Sequence, residues 1–413
     1  MLSVHTCPLA LLGGKETGGM NVYVRDLTRE LARRGHRVDV YTRSQDSSVP
    51  RVSGAIGHGA RVVHLPAGPE RPYDTNLVYD HLAEFIDGAA AQAGQDGAHY
   101  DVVHSHYWLS GVVARELHDR WGVPVVHMFH TLGKMKDSVA QKPEHLEEER
   151  RISAESAIVQ EADLVVAATD IEKEQLVQLY SADERRIRVI SPGVDTERFH
   201  PMPSAYSKER IGLCADRRVI LFVGRIVPLK GIDTLLRAIA AIVKKHPELR
   251  EDLCVPIIGG EPDRGREDEE MARLEVLKEE LGIGDIVTFL GARDQDELQH
   301  YYSAAEVVVV PSDYESFGMV ALEAMACGAP VIASDVGGLA TLVRNGRTGY
   351  RVPARDPDAL AAKINRLLTD EGLRLRIGQR ASCWAEGFAW PRIADQIEAV
   401  YAELADSAGA PGP

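Results

Sequence analysis

Arg225 and Lys230 stand five positions apart in the run Gly224-Arg225-Ile226-Val227-Pro228-Leu229-Lys230-Gly231, directly after the apolar segment 218–223. A planar guanidinium and a point-like ammonium on one loop suit the two phosphates of a nucleoside diphosphate. The plainer alternative is a solvated pair of surface cations. The run is not a Walker loop, since Lys230 is neither preceded by Gly nor followed by Ser or Thr. A second string runs from Pro311 to Pro330 and carries Glu315-Ser316-Phe317-Gly318-Met319-Val320. It delivers Glu315 to the start of a helix. Gly318 permits close approach there, and the unpaired N–H groups of 317–320 face an anion. Glu323 lies eight residues past Glu315, a little over two helical turns. Carboxylates accept paired hydrogen bonds from sugar diols, so this spacing suits a hexose at one end of a ligand and a ribose at the other. Taken alone, Glu323 reads as an ordinary helix-surface glutamate; the whole string makes that reading weaker.

A third string, Gly13-Gly14-Lys15-Glu16-Thr17-Gly18-Gly19-Met20-Asn21, lies between a first strand and a first helix. Its glycines let backbone approach a ligand at a helix start. The spacing is not that of a dinucleotide fingerprint, and a flexible loop with turn glycines remains the alternative. Further along, His104-Ser105-His106-Tyr107 and His127-Met128-Phe129-His130-Thr131 sit at strand ends, and Arg150-Arg151 open a helix. A strand-end histidine is more often structural than catalytic. No HExxH or comparable spacing supports a metal, so none is expected.

The elements that must position these residues alternate between short apolar runs and amphipathic segments, the βαβ pattern. Strands are predicted at 2–5, 37–42, 61–65, 101–105, 124–128, 163–168 and 187–190, then at 218–223, 254–258, 286–290, 306–310 and 330–333. The first begins almost at Met1 and is shorter than a usual core strand, which raises the expectation of a start a few residues upstream. Val22, Val24, Leu27 and Leu31 mark one side of the first helix, stopped by Gly35; the run from Glu144 opens another. Around Ser191–Asp195 the pattern breaks, Phe199–Pro203 reads as a connector, and a second α/β series begins. Two such series create a cleft at the carboxyl ends of two sheets, where open α/β sheets bind ligands. Ala389 to Leu404 reads as a helix, followed by a frayed Gly/Pro-rich tail at 408–413.

A chain of 413 residues calls for two domains, and the formal charge of -15 disfavours nucleic acid or anionic membrane as partners. Five scattered cysteines without a CxxC pair fit a reduced compartment. No membrane span or secretory signal is visible, so a cytoplasmic location is expected. A homodimer is the usual soluble assembly.

Taken in order, the glycine loop, the Arg225/Lys230 pair and the Glu315–Glu323 string resemble the family 4 retaining glycosyltransferases of the GT-B fold over nearly the whole chain. HTCPL, GGMNVYV, HSHYWLSG, HTLGKMK and SPGVD are most similar to the branch that transfers to inositol phosphate, with the sucrose-phosphate-forming branch second. The resemblance implies two Rossmann-like domains facing across a cleft. These are an acceptor domain over 1–195, a nucleotide-sugar domain over 196–385, and a C-terminal helix with its tail over 386–413 that packs back on the first. It implies a UDP-sugar donor and no required cofactor, with Arg225 and Lys230 on the diphosphate, Glu315 on the sugar hydroxyls and Glu323 on the ribose. Gly19 and the backbone of Ser316, Phe317, Gly318, Met319 and Val320 would bind sugar and phosphate, with Arg293 by the uracil. His130 would contact the donor sugar, Tyr107, Thr131 and Arg150 the acceptor phosphate, and Asn21 would lie beside the acceptor. One departure stands out: where the inositol-phosphate branch has a lysine on the acceptor phosphate, Thr75 occupies the position, and Arg71 or Lys136 are the candidates to compensate. The first-half strings carry no obvious carboxylate nucleophile, so a retained configuration points to front-face substitution rather than double displacement. Transfer to fructose 6-phosphate, hydrolytic nucleotide-sugar epimerisation and non-catalytic nucleotide-sugar binding are the alternatives.

Overall fold

Apolar residues that run without interruption belong to strands covered on both faces. In the computed structural model, Val307–Val310 is such a strand, with all four residues buried. The structure describes residues 1–10, 17–140, 143, 146–260 and 269–409. Its contacts divide the chain into two units, and the chain passes between them at Gly193/Val194 and again at Ala389/Trp390.

The first unit comprises Met1–Ala10, Met20–Gly193 and the residues from Trp390 onward. Its strands are β1 (Val38–Arg43), β2 (Val52–Gly57), β3 (Ala60–Leu65), β4 (Val103–His106), β5 (Val125–Met128), β6 (Leu164–Ala167) and β7 (Ile187–Val189). They pair in the orders β1-β3-β2 and β4-β5-β6-β7, parallel except for the β2–β3 hairpin. The expected strand at 2–5 appears as the seam between the two groups. Leu2 donates to His104 O (2.9 Å) and Ser3 to Tyr41 O (3.0 Å), while Leu2 O accepts from His106 N (3.0 Å). Val22, Val24, Leu27 and Leu31 are buried on the helix Gly19–Arg33 as their spacing predicts. The helix Trp390–Gly409 belongs to this unit and contributes Trp390, Ile393, Ile397 and Val400 to its buried side.

The second unit holds Val194–Ala389, and the contacts group Thr17–Gly19 with it. Its six parallel strands are β8 (Arg218–Val223), β9 (Leu253–Ile258), β10 (Val287–Gly291), β11 (Val307–Val310), β12 (Val331–Ser334) and β13 (Gly349–Val352). They stand in the order β10-β9-β8-β11-β12-β13. Strand order reverses between β8 and β11, and ligands of open α/β sheets bind outside the carboxyl ends at such a point. Both strings singled out for phosphate and sugar chemistry leave from these two strands.

One helix start and two strands differ from expectation. The helix expected from Glu144 starts at Glu149, with Glu148 in extended conformation before it; Glu144 and His145 themselves lie outside the described residues. β2 and β13 were not anticipated. β2 is mostly exposed along its length and β13 reads Gly-Tyr-Arg-Val, so neither presents an apolar run. Residues 11–16, with Gly13 and Gly14, and the tail at 410–413 also lie outside the described residues.

Candidate functional site

In the second unit the β8 loop turns at Gly224, presents a half-buried Arg225, and closes in a short 3-10 turn, Pro228–Lys230. Gly231 follows at φ 64 and leads into the helix Ile232–Lys245; a Cβ on it would overlap the Pro311 carbonyl. The β11 loop therefore runs directly against this turn, and the Asp313 N–H donates to Leu229 O at 2.9 Å. That contact brings the two strings together: Lys230 Nζ forms an ion pair with Glu315 Oε2. Gly318 (φ 103) caps the helix Met319–Ala326, and Ser316 Oγ donates to the Tyr314 hydroxyl at 3.3 Å.

Close backbone approach also governs two glycine pairs that sequence reading passed over. A Cβ on Gly259, at the end of β9, would overlap the Gly224 carbonyl, and the Gly259 N–H donates to Gly291 O at 3.0 Å. Gly337 and Gly338 follow β12, and their Cβ atoms would overlap the carbonyls of Glu315 and Ser316. The chain signals were Gly259-Gly260, directly after β9, and Gly337-Gly338, three residues past the end of β12. Arg293, two residues past β10, is half-buried and donates to Ala292 O at 2.8 Å.

Glu323 is not a surface glutamate. It is 4% exposed, with Oε2 accepting from the Tyr302 hydroxyl (2.9 Å) and Oε1 from Gln295 Nε2 (3.3 Å). Burial and the neighbouring Glu323 carboxylate push the Tyr302 hydroxyl well above its usual pKa, so it stays a donor. Gln295 Oε1 in turn accepts from Arg198 (2.9 Å), in the segment that opens this unit.

In the first unit, Tyr107 and His130 end β4 and β5 with positive φ, 73 and 61. Residues with side chains rarely hold such a backbone, and strained positions cluster at functional sites. Tyr107 and Thr131 meet on one cation, and it is Arg151. This arginine is wholly buried; it donates to the Tyr107 hydroxyl (3.1 Å), to Thr131 O and Thr131 Oγ1 (both 3.0 Å), and to Glu155 Oε1 (2.7 Å). Glu155 is also buried and accepts from the Gly133 N–H and the Tyr180 hydroxyl. Glu147 bridges Arg151 (3.0 Å) and Lys136, and those two cations hold its carboxyl below the usual range despite its burial. Arg150, the arginine that the resemblance points to, lies elsewhere. It points outward, pairs with Asp80 at 3.0 Å and stacks over the Tyr79 ring, away from Tyr107 and Thr131. One residue is 100° of helix, and only Arg151 falls on the face shared with Glu155 and Ile158.

His130 Nε2 lies 3.1 Å from His106 Nδ1, and the rings of His106 and His104 are 4.4 Å apart. His104 Nδ1 meets the Tyr401 hydroxyl at 2.8 Å, and His127 Nδ1 meets Ser105 Oγ at 2.8 Å. Burial lowers all four histidines, His127 and His130 to about 3. Among the described residues no group of His, Cys, Asp or Glu is arranged to hold a metal ion. Asn21, 1% exposed, donates to Thr6 Oγ1 (2.6 Å) and Cys7 O (2.7 Å). Thr75 opens the short helix Thr75–Val78, which Asp74 caps. Gly19 is the first residue of its helix.

Two family models match. The one described as "Glycosyltransferase Family 4" covers residues 17–198, and "Glycosyl transferases group 1" covers 206–384. The chain is 43% identical over 404 residues to a D-inositol 3-phosphate glycosyltransferase of Saccharomonospora viridis, covering 98% of this chain and 93% of that one. It is 41% identical over 408 residues to the enzyme of that name from Actinosynnema mirum, with 98% and 97% covered. Among solved structures, sucrose-phosphate synthase of Thermosynechococcus elongatus superimposes with a TM-score of 0.90 at 36% identity, with 98% of each chain covered. Anabaena HepE, solved with UDP-glucose, shares the fold at a TM-score of 0.75 and 22% identity, covering 98% of this chain and 99% of that one.

Proposed function

The chain belongs to the family 4 glycosyltransferases of the GT-B fold, and from that premise we propose that it moves a hexosyl unit, N-acetylglucosamine or glucose, from a UDP-sugar to inositol 3-phosphate or a similar phosphorylated polyol, with retention. The observation that carries the donor half is the pairing of Lys230 with Glu315 at the strand-order reversal of the second sheet. Lys230 faces the diphosphate, and Glu315 is released to accept from the sugar's hydroxyls when the phosphates take over the ammonium. Arg225 and the N–H groups at 317–320 stabilise the leaving charge. Arg293 lies by the base and Glu323 by the ribose. The acceptor's phosphate is held by Arg151 with Tyr107 and Thr131, while Lys136 supplies the cation absent at Thr75. His130 touches the donor sugar and Asn21 lies by the acceptor. The acceptor hydroxyl oxygen bonds to the anomeric carbon as the bond to the diphosphate breaks on the same face. Its proton passes to the departing phosphate oxygen, and UDP leaves.

A second acceptor, fructose 6-phosphate, is favoured by the likeness to the sucrose-phosphate synthase structure. A matrix of UDP-glucose and UDP-N-acetylglucosamine against both acceptors, read by product mass, separates the readings. We expect one glycosylated inositol phosphate, formed equally well with EDTA present and lost by orders of magnitude in Lys230→Ala. UDP binding without transfer to either acceptor would leave only a binding protein. Release of UDP and free sugar without an acceptor would mean the hydrolytic class.

A further inference from the structure

Four described residues other than glycine hold a positive φ: Tyr107, His130, Ser181 and Arg355. Ser181 closes a helix, and Tyr107 and His130 belong to the candidate site. Arg355, at φ 59, lies in the loop between β13 and the helix Pro357–Thr369, where glycine would be at ease. A side chain kept on such a backbone asks for a compensating contact. The contact is two-pronged: Arg355 Nε and the terminal nitrogen NH2 reach Asp313 Oδ2 at 2.9 and 2.8 Å. The Asp313 side chain is 5% exposed, whereas Arg355 is 48% exposed, so the guanidinium caps a carboxylate that is otherwise enclosed.

Asp313 is also where the β11 loop is tied to the β8 turn, through its N–H on Leu229 O at 2.9 Å. Lys230 follows Leu229 by one residue and Glu315 follows Asp313 by two. Three segments thus meet at one residue: the loop 353–356 on the Asp313 carboxylate, the turn 228–231 on its backbone N–H, and the loop 311–315 that carries it. We propose that Arg355 is a positioning residue for the donor: by clamping Asp313 it fixes the register in which Lys230 and Glu315 face the diphosphate and the sugar. This rests on the donor reading above.

The test uses the whole chain and Arg355→Gly, Arg355→Lys and Asp313→Asn/Arg355→Gly. The glycine change removes the clamp and at the same time relaxes the backbone, so folding survives. We expect the melting temperature to hold while the UDP Kd, read by calorimetry, rises about tenfold. Donor KM should rise with it and acceptor KM stay unchanged. Arg355→Lys, which keeps a cation, should recover part of the loss, and the double variant should be no worse than the glycine single, because the pair acts as a unit. If Arg355→Gly binds UDP as the unaltered chain does, the positioning role is wrong. If donor and acceptor parameters worsen together with the melting temperature, in the glycine and lysine variants alike, Arg355 is merely structural and the role is equally wrong. An unaltered chain that binds no UDP sinks the donor reading and this inference with it; indifference of Arg355→Gly in a chain that does bind UDP sinks this inference alone.

Discussion

Four histidines stand in or at the ends of β4 and β5, and burial depresses every one of them, His127 and His130 to about 3. A histidine held neutral inside a fold binds fewer protons than it does in the unfolded chain below an ordinary value of about 6.5. Its contribution is complete above that value and is lost as pH falls. Each residue that resists protonation costs about 1.4 kcal/mol per pH unit. Glu172 works the other way: burial raises it to about 7, so its contribution is present at low pH and lost as pH rises through 7. One carboxyl cannot balance four imidazoles. Urea midpoints followed by tryptophan fluorescence should fall between pH 7 and pH 5, a window in which ordinary surface carboxylates stay ionised. A midpoint that is flat or rising across that window would contradict the neutral-histidine picture. These side chains also mark where sequence reasoning stopped. His130 and Tyr107 are visible as strand-end residues and take their roles from the resemblance, but their positive φ could not be read. Between the neighbouring arginines a helical count does discriminate: Arg151, Glu155 and Ile158 share one face, and Arg150 does not. Glu323 was visible as a position, while its partners Tyr302 and Gln295 come from another helix and carry no local signal.

Elements were legible wherever a strand is covered on both faces, because burial writes itself as an unbroken apolar run; β8, β9 and β11 are such cases. β2 and β13 lack such runs and were missed. Loop order was legible too, since each candidate string follows a strand and precedes a helix. What the sequence could not state is how tightly those loops stack. The carboxyl ends of β8, β9 and β10 touch through Gly224, Gly259 and Gly291, with the Gly259 Cα turned toward the Gly224 carbonyl. Gly259 sits at φ 142, and a methyl there has no room that side-chain movement could open, because the obstacle is backbone. Gly259→Ala should therefore push the Gly224–Arg225 peptide aside and weaken UDP binding by tenfold or more, about 1.4 kcal/mol or above. Gly212→Ala is the comparison: it also has a positive φ, but nothing lies within 4 Å of its added methyl. It should lower the melting temperature slightly and leave the UDP Kd alone. Equal Kd values for the two variants would mean that the stacked loops do not place Arg225.

At the scale of the whole chain, the first unit is closed by residues nearly two hundred positions away from the rest of it, since Gly193 and Trp390 are members of the same unit. The Trp390 ring fills the space beside Gly193, where a Cβ would strike it, and lies 5.5 Å from the Tyr23 ring. Ile393, Ile397 and Val400 are buried along the helix Trp390–Gly409, and Tyr401 gives its hydroxyl to the otherwise enclosed His104. Outside that seam, Glu398 meets Arg34 (2.6 Å) and His36 (2.7 Å), and Glu403 pairs with Arg188. Exposed pairs of this kind add little. Burial decides the matter: four large apolar side chains at about 1.5–3 kcal/mol each approach the whole stability of a typical domain. No helix among the described residues is long and apolar enough to cross a membrane. The second unit draws its strands and its own buried cluster from residues before 390. A chain ending at Ala389 should thus lose the first unit and keep the second. Limited proteolysis should digest residues before 194 while a fragment near 194–389 survives, with UDP bound within about tenfold of the intact Kd and no transfer to any acceptor. Tyr401→Phe removes only the hydroxyl on His104 and should be milder, lowering the melting temperature while leaving UDP affinity as it is. If the shortened chain melted as the intact one does and still transferred sugar, the C-terminal helix would be an appendage rather than the last layer of the first unit's core.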